Sequence, residues 1–172
     1  MGKIKRDEAI TLVALTITII VIIILASISI TEGTRVIKRA KVESFVTNMI
    51  TIRANAKVYA EEVNAKTWTL NSNEKEELFK NEYYMTKGAD IHMVSQSDLD
   101  IELSGEDTYE AYSVGENALK DMGLENIKDD ANYIVVYNSN DYTKLDVVYK
   151  EGIVYDGTEY YTLSKLKEAI EN

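Results

Sequence analysis

The sequence predicts an α+β protein in which one long N-terminal helix, a membrane half followed by an amphipathic stem, packs on a C-terminal antiparallel β-sheet head. Three observations carry this. Residues 9–31 form an unbroken run of 23 uncharged, mostly aliphatic residues. Apolar residues then recur at spacings of three and four from Val42 to Val63. Runs rich in Val, Ile and Tyr, separated by turn signals, occupy residues 133–162. A period of 3.6 marks a helix with one buried face, and β-branched and aromatic runs bounded by turns mark strands.

The apolar run comes first in the chain. A helix rises about 1.5 Å per residue, so this length suffices to cross a hydrocarbon core of about 30 Å. Its many Ile and Val residues favour strand in water, but in lipid the backbone must satisfy its own hydrogen bonds and becomes helical. Lys3, Lys5 and Arg6 precede it, as in a secretory signal. The run exceeds the roughly 7–15 residues of a signal h-region, which leaves an uncleaved anchor as the alternative. Orientation stays open, because Arg35, Lys38, Arg39 and Lys41 follow the run and balance the basic residues before it.

The expected organisation is residues 1–9 as a leader, 10–31 as a membrane or core helix, 32–66 as a stem and 67–172 as a globular head. In the stem, Val42, Phe45, Met49, Ile52, Ala56, Tyr59 and Val63 share one helical face. Phe45, Met49, Ile52 and Tyr59 are its expected packing residues, core and not a ligand groove. In the head, residues 74–84 read as helix, 91–103 as extended, and 114–122 as a short helix ended by Gly123. Residues 133–137, 145–149, 152–155 and 159–162 read as strands of a meander, with Asp156-Gly157 as a tight turn. Ser164 reads as the cap of a closing helix through Ile170. The head's tyrosines read as strand residues with an apolar body and a wet tip, against the alternative of an adhesive or charge-carrying aromatic surface.

Charge is uneven along the chain. Residues 67–172 carry 9 Lys and Arg against 23 Asp and Glu, whereas 32–66 carry 7 against 4. An acidic head repels a phosphate backbone, so no nucleic acid is expected to bind it. The basic residues 35–41 suit lipid headgroups or acidic faces of neighbouring subunits. There is no Cys and no Pro. Core packing alone must therefore hold an exported domain together.

The string Ala9-Ile10-Thr11-Leu12-Val13-Ala14-Leu15, behind a short Lys-rich leader and ahead of the apolar run, resembles the prepilin N-terminus of type IV pilins and type II secretion pseudopilins, in its Gram-positive, clostridial-like form. Residues 133–166 more loosely resemble the heads of clostridial pilin-like proteins. The resemblance implies a pilin-like fold and cleavage after Ala9 by a membrane prepilin peptidase, which methylates the new amine at Ile10. It implies a filament-core helix that includes Leu12, Ala14, Ile20 and Ile23. The implied partners are copies of the chain in a helical filament, the membrane and the pilus assembly machinery. Ala9 stands where the family has Gly, Asp7-Glu8 where a basic residue is usual, and Ala14 where the family has a Glu that pairs with a neighbour's terminal amine. The hydroxyls of Thr11, Thr16 and Thr18 are the polar groups nearest to replacing that Glu.

No constellation for chemistry stands out. A nucleophilic triad needs a base, and the single His92 has only Ser95 and Asp98 nearby in sequence. Zinc clusters need Cys and His that are absent. Asp98, Asp100, Glu102, Glu106 and Asp107 form one acidic cluster, and Asn138, Asn140 and Asp141 another, but neither has the spacing and central Gly of a calcium loop. No catalytic residue, cofactor or metal is expected. The expected function is that of a filament subunit, with a solitary membrane-anchored binding module as the alternative and a tethered enzyme behind both.

Overall fold

The computed structural model describes residues 2–66, 71–104, 107–127 and 132–171, with side chains along the first helix at 15–24 and from 36 onward. Helix α1 runs Gly2–Lys66. Gly33, a residue of low helix propensity, lies within it. The chain divides into two compact units, Met1–Lys41 and Val42–Asn172.

In the second unit, the stem part of α1 packs on a five-stranded antiparallel sheet, a pilin-like arrangement of helix on sheet. The strands are β1 (Met85–Lys87), β2 (Tyr109–Val114), β3 (Tyr133–Asn138), β4 (Leu145–Tyr155) and β5 (Thr158–Thr162). They lie in chain order, so the sheet is a meander. Helices α2 (Ser72–Glu82), α3 (Glu116–Asp121) and α4 (Leu163–Glu171) complete the unit.

Period-two alternation on β3 explains the two cores. Tyr133, Val135 and Tyr137 join the larger cluster with Met49, Ile52, Ala56 and Val63 of the stem. Ile134 and Val136 face the other way and meet Leu99 and Ile101. All six β3 residues are buried, as a central strand covered on both faces must be.

Local chemistry sets the boundaries. Asn71 caps α2, its Oδ1 accepting from Asn73 N and Glu74 N while Glu74 Oε2 accepts from Asn71 N, a complete capping box. Helix α2 therefore begins two residues before the expected start. Helix α3 ends as expected at Gly123, whose φ of 78° lets Leu124 N reach Leu119 O at 2.8 Å. Its start differs from expectation, because Val114 is consumed by β2. Asp156 and Gly157 both have positive φ, 47° and 81°, and Tyr155 pairs with Thr158, which defines a two-residue type I′ hairpin. The two expected strands of residues 145–149 and 152–155 are one strand, β4, interrupted by a bulge between Val148 and Ile153.

Two expectations are corrected. Residues 91–103 hold no strand; they fold as turns and a 3-10 turn, Gln96–Asp98, that lays Leu99 and Ile101 on the second face of the sheet. Ser164 does not cap α4. The cap oxygen is Thr162 Oγ1, which accepts from Lys165 N at 3.3 Å, while Ser164 Oγ donates to Asp146 Oδ2 at 2.6 Å.

Candidate functional site

In the first unit, the described apolar side chains of residues 15–24 are all exposed. Leu15, Ile17 and each residue from Ile19 to Ile24 keep between 46% and 63% of their surface open. These side chains are left largely open by their own chain, and an apolar surface of this kind marks a lipid or partner contact. Ile20 and Ile23 are part of it. Thr18 Oγ1 donates to Leu15 O at 2.7 Å, so that hydroxyl is already engaged within the helix. The side chains of Ala9, Ile10, Leu12 and Ala14 lie outside the described residues. Among those described, no helix is long and apolar enough to cross a membrane.

In the second unit, the expected stem residues meet the sheet. Met49 and Ile52 are fully buried. The ring of Phe45 lies 5.1 Å from that of Tyr149, and Tyr59 stacks on Tyr83 at 4.2 Å. Tyr137 Oη donates to Ala56 O at 3.2 Å, tying strand to stem. The tyrosines turn inward far more than a half-wet strand requires, with Tyr112, Tyr133 and Tyr137 fully buried. Their hub is Phe79 of α2, whose ring centroid lies within 5.9 Å of those of Tyr83, Tyr112, Tyr137 and Tyr142. No sequence signal singled out Phe79.

Three polar sites remain. Glu110 Oε2 accepts from Tyr112 Oη at 3.0 Å and Tyr142 Oη at 2.6 Å, and Lys87 Nζ donates to Oε1 at 2.8 Å. Burial opposes ionisation of Glu110, but the bonds from Lys87, Tyr142 and Tyr112 outweigh it and hold the carboxyl below its usual range. The same burial pushes Tyr112 and Tyr142 up. The two clusters weighed for calcium come together at Asp107, whose carboxylate is taken up by the amides of Asn138 and Asn140. Those bonds, with that from Ser104, hold Asp107 well below the carboxylate range. Glu106 lies outside the described residues. Among those described, no group of three or more His, Asp or Glu is placed to hold a metal ion.

The third site is Asp146, fully buried on β4. Its Oδ1 accepts from Val147 N at 2.8 Å, and its Oδ2 from Asp100 N at 3.2 Å and Ser164 Oγ at 2.6 Å. These bonds clamp the 98–100 segment to the start of α4. Burial pushes this carboxyl up despite them. A cavity of about 670 Å³ opens beside it, lined by Arg53, Asp98, Asp100, Ser164 and residues of α4. Arg53 pairs with Asp100 across it at 3.3 Å. His92 is not assembled with Ser95 and Asp98: His92 Nδ1 lies 2.7 Å from Asp90 Oδ2, and Ser95 Oγ donates to Asp98 at 2.5 Å.

Because Asp146 holds its proton more tightly folded than unfolded, its contribution to stability is present in acid and lost as pH rises through the folded value. Asp146→Asn removes that term and one acceptor for Asp100 N–H, at a cost of about 1 kcal/mol. The parent's advantage over D146N should shrink as pH rises above the ordinary carboxylate range, read by urea unfolding at a series of pH values. An advantage that grows with pH contradicts this assignment.

No protein-family model, curated protein or solved structure matches the chain.

Proposed function

We propose that this chain is the structural subunit of a type IV pilus-like or pseudopilus-like surface filament, held in the membrane before assembly by its apolar N-terminal helix. The observation that carries the reading is the exposure of Leu15, Ile17 and every aliphatic residue from Ile19 to Ile24, which the chain itself does not cover. The stem-on-sheet architecture of the second unit and the prepilin-like string at residues 9–15 support it. The mechanism is assembly: apolar helices leave the bilayer and bundle together, so no apolar surface passes through water on the way.

The partners in this reading are further copies of the chain, a prepilin peptidase and the assembly machinery. Electron microscopy of the native cell surface, with mass spectrometry of sheared filaments, tests it. The expected result is filaments containing this chain with methylated Ile10 at the N-terminus. Intact Met1 in filaments contradicts the assigned cleavage. A chain found only as a detergent-extracted monomer favours the solitary anchored binding module instead.

A further inference from the structure

The second unit carries two surfaces that fit one another but lie too far apart to meet within one chain. The first is a groove of about 370 Å³ between the stem and α4. Its apolar lining includes Ile50, Ala54 and Leu145, and its charged residues are Arg53, Lys57 and Lys167, with no acidic residue among the lining. Arg53 is paired with Asp100, and Lys57 and Lys167 stand at the apolar floor from the stem and from α4 with no carboxylate among the lining. Ile50 is itself 44% exposed.

The second surface is the tip of the β4–β5 hairpin. Val154 is 64% exposed, directly opposite Glu159, and Asp156 occupies the type I′ turn. Glu151 lies just before it on β4. Gly152 lets the side chain of Glu159 lie across the strand, since a Cβ there would stand 2.7 Å from Glu159 Cγ. The tip is thus an apolar knob among three carboxylates, and the groove an apolar floor flanked by Lys57 and Lys167, with Arg53 already held by Asp100.

Leu145 lines the groove and Tyr155 begins the turn, at opposite ends of the 11-residue strand β4. At about 3.3 Å per residue that separation is roughly 30 Å. We infer that the β4–β5 hairpin tip of one copy docks into the α1–α4 groove of the next, Val154 seating on Ile50 and Ala54 while Asp156 and Glu159 meet Lys57 and Lys167. Such a contact is heterologous: each copy offers a tip and a groove on different faces, so it can pass from copy to copy, as an open polymer requires. The inference rests on the filament reading and adds a contact between heads to the one between apolar helices.

The chain has no cysteine, so a disulfide can report the contact cleanly. In filaments of the full chain carrying V154C and A54C together, mild oxidation should give a ladder of covalent multimers, whereas either substitution alone should give none. Both positions are exposed, so neither change should disturb folding. K57E with K167E should lower filament yield at least about tenfold, because like charges facing across an interface cost several kcal/mol. D156K with E159K should do the same, and all four together should restore the yield. Unchanged yields with no ladder overturn the contact and leave the filament reading standing. A covalent dimer from V154C alone reveals a symmetric tip-to-tip contact and also overturns the inference. If the parent chain forms no filaments, both readings fall.

Discussion

Chains carrying Ile20→Lys or Ile23→Lys are expected to be missing from filaments while the second unit keeps its native unfolding transition. A Lys at the centre of an apolar helix costs on the order of 2.5–3.5 kcal/mol in a bilayer. In a dry bundle of helices the charge must also be left unpaired, which is more costly still. The described neighbours of both positions along α1 are apolar, apart from Thr16 and Thr18. The 42–172 unit has its own core and does not depend on either side chain. The measurement is quantitative blotting of sheared filaments from cells that co-express the parent and a tagged variant. Incorporation of the variant at the parent's level would defeat the assembly mechanism.

Phe79→Ala should cost about 3–5 kcal/mol, the usual range for emptying a buried aromatic site. Phe79 is fully buried, and its ring lies among four tyrosines that leave little room to collapse into the space. Aromatic pairs add about 0.5–1.5 kcal/mol beyond area burial, so loss of the hub removes more than its own surface. A domain of this size holds roughly 5–15 kcal/mol in total, and the variant should unfold at much lower denaturant than the parent. Phe79→Leu should recover part of the loss. Urea unfolding of the full chain in detergent, followed by tyrosine fluorescence, checks both variants, and a loss under about 1 kcal/mol for F79A would show that the cluster repacks.

Where a strong period ran along the sequence, the fold was legible. The stem face from Val42 to Val63 and the strands at 133–138 and 145–162 follow from spacing and turn chemistry, and the type I′ hairpin follows from Asp156-Gly157. β1 and β2 were not legible. β1 is three residues long, and β2 places Glu110 where an alternating pattern would put an apolar residue; besides Tyr112 two residues along the strand, Lys87 and Tyr142 satisfy that carboxylate, and both come from the fold. Residues 91–103 read as extended because of Ile91, Val94, Leu99 and Ile101, which are apolar in order to cover the sheet and not to join it. Asp146 looked like any strand residue, since its partners Asp100 and Ser164 are remote in sequence. The basic groove was hidden for the same reason: Lys57 and Lys167 belong to helices far apart in the sequence that meet only in the fold.

The bond from Tyr137 Oη to Ala56 O joins residues 81 apart in the chain. The stem face leaves the ribosome long before β3 and β4, the strands that cover it. At about 5–20 residues per second the delay is roughly 4–16 s. Throughout that interval Met49, Ile52, Ala56 and Val63 lack the β3 and β4 part of their cluster, and closing so long a loop must precede the gain from that burial. The nascent chain therefore carries a second sticky helical face next to its apolar run. Its folding depends on timing as much as on affinity, and any holdase or translocation channel that shields the stem until β4 emerges decides how much of the protein reaches the native sheet.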